Sequence, residues 1–172
     1  MKKNSSIEYS LCQIAKAATF VLRFIPLGFS IFVARIIGFI SYYFFIKKRR
    51  IAYKNLKIAF PHYSCSQINR TVRQVFMNCS QHIMELFYLP WLDKNYIKNH
   101  IAFEGMDKAL KIADNRKGLI LLGLHEGSWE VASVVLSQVF EKYNYTILAR
   151  TQEGIPALNG LLKEYRAKRN CK

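Results

Sequence analysis

The chain has 172 residues, 51% hydrophobic and 14% aromatic, which excludes a disordered polymer and leaves room for one domain with a real core but not two full-sized ones. Its 26 Lys and Arg against 11 Asp and Glu give a formal charge of +15, so its partners are anionic: nucleic acid, acidic headgroups or an acidic protein. The basic residues stand beside apolar runs and no nucleic-acid module pattern is present, so a membrane surface is favoured over nucleic acid.

Residues 20–46 are nearly continuous apolar sequence, broken by Arg23, Pro26 and Arg35. Pro26 suits a helix start, because the first turn leaves its missing amide unpaired anyway. From Leu27 to Ile46 the run has the length that crosses a hydrocarbon core of about 30 Å. Arg35 near its middle makes a clean transmembrane helix costly, so spanning and interfacial anchoring both stay open. Gly28, Arg35, Gly38 and Tyr42 fall close to one helical stripe, expected to pack on the rest of the protein. The cluster Lys47-Lys48-Arg49-Arg50 then marks a cytoplasmic boundary that attracts anionic headgroups.

The helical period continues through residues 51–60 until Pro61 stops it. Ser64 or Ser66 caps a second long helix from Gln67 to Tyr88, with Ile68, Val72, Val75, Phe76, Cys79, Ile83 and Phe87 as its apolar face. His62, Cys65, Cys79 and His82 have zinc-compatible residue types in an H-x2-C-x13-C-x2-H spacing. Cys79 and His82 lie in a helical pattern that needs no metal, and idle thiols are the preferred reading. Structural zinc is therefore not expected.

After residue 100 the pattern changes. Residues 101–104 read as a short strand, Met106 to Asp114 as a helix, and the apolar run Gly118 to Leu124 as a strand buried on both faces. Trp129 to Phe140 reads as a helix, Tyr145 to Arg150 as a strand and Ala157 to Arg169 as a basic helix. This alternation predicts an α/β architecture with a parallel sheet. The expected division is an anchoring helical region, 1–100, and a catalytic core, 101–172.

The segment with chemistry is His125-Glu126-Gly127-Ser128-Trp129-Glu130. On one continuous helix, residues five apart point about 140° apart and cannot meet. A turn at Gly127 between the apolar run and the following helix lets His125 and Glu130 converge. Imidazole and carboxylate then form a general base with its orienting partner. The amides of the helix start, at Gly127 and Ser128, are placed to hold an oxyanion or a phosphate. A covalent serine mechanism is not expected, since E-G-S-W-E lacks the nucleophile-elbow pattern G-x-S-x-G.

This block resembles the H-x4-D/E motif of glycerolipid-type acyltransferases, and most closely that of the bacterial late acyltransferases of lipid A biosynthesis. Arg49-Arg50, Asn55-Leu56 and Phe60-Pro61 are similar to that family's upstream stretch, Phe103-Glu104-Gly105 to its segment before the motif, and Leu148-Ala149-Arg150 to the one after it. Glu126 and Ser128 stand where Phe and Asn are usual. The resemblance implies N-terminal membrane-associated helices followed by a partial glycerolipid-acyltransferase-like sheet with flanking helices. It also implies transfer of an acyl chain from acyl carrier protein to a hydroxyl of a lipid A precursor, without metal or other cofactor, at the cytoplasmic face of the inner membrane. His125 would be the base, Glu130 its partner, and Arg150 a ligand of substrate phosphate. Because the resemblance covers about half of the usual family domain, the chain alone is expected to be a poor catalyst. Acyl transfer to another glycolipid or to a lysophospholipid, and a non-catalytic membrane protein, are the alternatives.

Overall fold

The computed structural model describes residues 2–115, 117–124, 126–148 and 156–167, which pack as two units: residues 24–85, and residues 2–23 with 86 onward.

In the first unit Pro26 (φ −55°, ψ 134°) accepts the amides of Phe29 and Ser30 and opens helix α2, Leu27–Phe44; α1, Lys2–Leu22, belongs to the other unit. Phe45 (φ −89°, ψ 63°) breaks the helical path for one residue, and α3 runs from Ile46–Ala59. It stops at Phe60, because the residue before a proline is pushed out of the helical region. Ser64 then caps α4, Cys65–Leu86, reciprocally: the Gln67 amide donates to Ser64 Oγ (3.3 Å) and the Ser64 amide to Gln67 Oε1 (2.8 Å).

Tyr42, Ile68 and Val72 form the buried core of this unit, with Ala52, Tyr53, Leu56, Tyr63 and Phe76 against it. The predicted apolar face of α4 is narrower than expected. Ile68 and Val72 are buried, but Val75, Cys79 and Ile83 are exposed. On α2 the buried stripe is Ser30, Ala34, Gly38 and Tyr42; Gly28, expected on it, is exposed. Arg35 is satisfied from α4: its guanidinium donates to the side-chain carbonyls of Asn78 (3.3 Å), Gln81 (3.2 Å) and Gln74 (3.4 Å).

Gly38 marks a close approach of α4 to α2, for a Cβ there would fall 2.6 Å from both Met77 Cα and Phe76 O. Glycine to alanine inside a helix ordinarily gains about 1 kcal/mol from propensity. Here the obstructing atoms are backbone, and overpacking of this kind costs about 1–3 kcal/mol. Gly38→Ala is therefore expected to lower the thermal unfolding midpoint followed by circular dichroism. A raised midpoint would contradict the close approach.

The second unit joins α1, Lys2–Leu22, to the remainder of the chain. A 3-10 turn at Leu89–Trp91 leads to α5, Lys94–His100, capped by Asp93, whose carboxylate accepts the Tyr96 amide at 2.7 Å. Gly105, in the left-handed region (φ 69°), opens α6, Met106–Asp114. Helix α7, Trp129–Val139, a second 3-10 turn at Glu141–Tyr143 and α8, Pro156–Ala167, follow. Leu89, Leu92, Val134, Leu161, Leu162 and Tyr165 make the core, with Cys12, Ala15 and Val131 packed on it. The hydroxyls of Thr19 and Tyr165 share a buried hydrogen bond of 2.8 Å, and Lys16 pairs with Glu164 at 2.7 Å, so α1 is tied to α8.

The expected α/β sheet is not there. Among the described residues the secondary structure is entirely helical, and residues 101–104, 118–124 and 145–148 are irregular chain. A continuous apolar run is a strand only where neighbours complete its hydrogen-bond ladder. Among the described residues no such ladder joins these three segments. Several of their apolar side chains are accordingly exposed, Leu122 by 95% and Leu148 by 99%. Run 118–124 is also rich in leucine, which has little strand preference, and has one β-branched residue, Ile120.

Candidate active site

The sequence Glu126-Gly127-Ser128-Trp129-Glu130 is a turn feeding a helix. Gly127 has φ +62°, a conformation that L side chains rarely adopt, and it redirects the chain into α7. Ser128 is the residue before the first turn of α7 and accepts the Ala132 amide on its carbonyl. Its Oγ is buried and has no hydrogen-bond partner among the described residues. Trp129 and Glu130 are the first two helical residues, so the Glu130 carboxylate stands in the first turn, where the helix dipole favours negative charge by about 0.3–1 kcal/mol.

Glu130 is held by a residue that sequence reading did not select. Arg166, in the last turn of α8, grips it with a guanidinium fork: Nε donates to Oε2 at 3.0 Å, and NH2 to Oε1 and Oε2, both at 2.6 Å. The Arg166 side chain is 22% exposed and that of Glu130 12%, so the pair is largely shielded from water. Two packing facts aim these groups at each other. Glu130 lies one turn before Val134, which is buried against Leu161, Leu162 and Tyr165 of α8. Arg166 directly follows Tyr165 on that helix. Bidentate geometry fixes the carboxylate plane as well as its position, and a carboxylate has about four acceptor sites, so Glu130 retains capacity for a further donor.

His125, the other half of the expected dyad, and Arg150, the expected phosphate ligand, lie outside the described residues. Of the remaining site residues, the turn brings Gly127, Ser128 and Glu130 together at the start of α7. Nothing in the basic pattern of α8 singles out Arg166 over Lys163; only the packing of α8 on α7 does.

Two other features are separate from this site. A cavity of about 410 Å³ is lined by Lys94, Ile97, Lys98, Ile101, Phe103, Gln138 and Val139. It adjoins the opposite end of α7, roughly 13 Å along the helix from Glu130. The His62, Cys65, Cys79, His82 set forms no metal-ligand group among the described residues, and His82 Nδ1 instead meets Glu85 at 3.2 Å.

A left-handed glycine turn thus delivers a clamped glutamate to the start of α7, five residues after a histidine in sequence. The family model for bacterial lipid A biosynthesis acyltransferases matches residues 2–172. The chain belongs to that family, and is an acyltransferase by that membership. No match is found among the curated proteins or among the solved structures.

Proposed function

We propose that this acyltransferase moves a fatty acyl chain from acyl carrier protein to a hydroxyl of a lipid A precursor, with His125 as general base. The observation that carries the reading is the Glu130 carboxylate, fixed by Arg166 at the start of α7 and five residues after His125. His125 takes the proton of the acceptor hydroxyl as its oxygen attacks the thioester carbonyl carbon. Collapse of the tetrahedral intermediate breaks the carbon–sulfur bond, and the imidazolium returns the proton to the departing thiolate. Glu130 accepts the second imidazole N–H, which sets the tautomer and favours the imidazolium. The amides of the α7 start and the unpartnered Ser128 hydroxyl are suited to an oxyanion or a phosphate, and Arg150 is assigned to substrate phosphate. An acidic carrier protein and a phosphorylated acceptor both suit a chain of charge +15.

The place of work in this reading is the cytoplasmic face of the inner membrane. Helix α2 is long and apolar enough to cross a bilayer, and only 22% of it is buried, unlike a core helix of a soluble protein. The chain is expected to remain in the membrane pellet after a high-salt wash, because salt removes only electrostatic adhesion. Full release by salt would end the anchoring assignment.

The function is tested by supplying membranes containing the chain with acyl-loaded carrier protein and isolated acceptors in parallel. Acylation of the lipid A precursor is expected. Turnover only with a lysophospholipid or another glycolipid would reassign the acceptor, and turnover with none would refute transfer by this chain.

A further inference from the structure

The number of membrane crossings is constrained by the packing of α1. Helix α1 precedes α2 in the chain, yet it packs on α8, far beyond α2, through Cys12 and Ala15, the buried Thr19–Tyr165 hydrogen bond and the Lys16–Glu164 pair. If α2 crossed the bilayer once, α1 and α8 would be on opposite sides and none of these contacts could form. A second crossing would have to return the chain between residues 45 and 156. Among the described residues α2 is the one helix that meets the length and hydropathy of a span. Helix α4 is long enough but carries Arg70, Arg73, Gln74, Asn78 and Gln81, and Arg70, Gln74 and Asn78 are exposed. In hydrocarbon each such group would cost several kcal/mol.

The two faces of α2 point the same way. Its buried stripe, centred on Ala34 and Gly38, meets α4, and Arg35 on its flank is satisfied by the α4 amides. Phe29, Phe32, Ile36, Ile40, Tyr43 and Phe44 are exposed and, at 100° per residue, fall roughly opposite that stripe. A spanning helix would have lipid around the polar α4 as well. A helix lying in the membrane plane has lipid on one side only.

Helix α3 adds the charge. It packs through Ala52, Tyr53 and Leu56 and exposes Lys47, Arg50 and Lys54 together with Ile51 and Ile58. It has no carboxylate. Apolar residues bordered by cations on an exposed face are what an acidic lipid surface accepts.

We infer that α2 does not span the membrane: it lies in one leaflet as an in-plane anchor, with α3 beside it at acidic headgroups and both chain ends on the same side. This rests on the membrane location proposed above, and the experiment separates the two. Alkaline phosphatase, active only outside the cytoplasm, and a fluorescent protein, bright only inside it, are fused in turn to each end of the full chain. Both ends should be fluorescent and neither should show phosphatase activity. One end outside would overturn the in-plane anchor and leave the membrane location standing, whereas a chain absent from the membrane fraction would overturn both.

Depth gives an independent readout. Trifluoromethyl-phenylalanine is placed singly at positions 29, 36 and 44 of the full chain in vesicles of phosphatidylglycerol and phosphatidylethanolamine. Dissolved oxygen, which concentrates at the bilayer centre, should relax the three labels similarly. A pronounced maximum at position 36 would mean spanning. For the charge, the chain is synthesised beside mixed acidic and zwitterionic vesicles. The Lys47→Gln/Arg50→Gln/Lys54→Gln variant should lose its preference for the acidic ones by roughly a hundredfold, about fivefold per cation. An unchanged preference would refute the assignment of α3 to acidic headgroups.

Discussion

Replacing His125 by alanine is expected to abolish acyl transfer, with a loss of about 10² to 10⁴ in rate, the range a positioned general base supplies. Glu130→Ala should cost nearly as much, since an unoriented imidazole is a poor base. The double variant should be scarcely worse than His125→Ala alone, because residues that act as one unit are grossly non-additive. The Arg166 fork sets the control this cycle needs. Glu130→Ala leaves a shielded guanidinium without its carboxylate, so part of any loss could come from local misfolding. Glu130→Gln keeps the side-chain shape and one carbonyl acceptor for Arg166, and is the cleaner partner for the cycle. Strictly multiplicative losses for His125→Ala and Glu130→Gln, with thermal unfolding unchanged, would show that the two residues do not act together.

Sequence reading succeeded where the determining interaction is local. Pro26 fixed the start of α2, Ser64 the start of α4, and Gly127 the turn before α7. It failed where a residue's role depends on what lies across from it. Run 118–124 reads as a buried strand because it is apolar throughout, but a strand is defined by its neighbours and none pairs with it among the described residues. Val75, Cys79 and Ile83 have the helical spacing of a core face and are nevertheless exposed, because the core of that unit is narrow and centred on Tyr42. At the site, the place of Glu130 in the first turn of α7 was legible, while its partner Arg166 was not: that pairing arises from α8 packing on α7, 36 residues away.

In the proposed mechanism Arg166 is the residue through which packing reaches chemistry, and its replacement should separate stability from rate. Arg166→Met leaves Glu130, 12% exposed, without its counter-charge. Breaking a fully buried pair costs about 3–5 kcal/mol; with this residual exposure a loss on the order of 2–3 kcal/mol is expected. The carboxylate, no longer held in one plane, should orient His125 poorly and lower kcat by about 10- to 100-fold, with little change in KM, since Arg166 is not assigned to substrate. Arg166→Lys should recover most of the stability but only part of kcat, because an ammonium is a point charge and cannot reproduce the fork. The decisive variant is Arg166→Met with Glu130→Gln. Removing both charges should restore much of the stability, as replacing both members of a shielded pair is often neutral, yet kcat should stay low. If kcat recovered with stability, Glu130 and Arg166 would be a structural clasp between α7 and α8 and no part of the catalytic base.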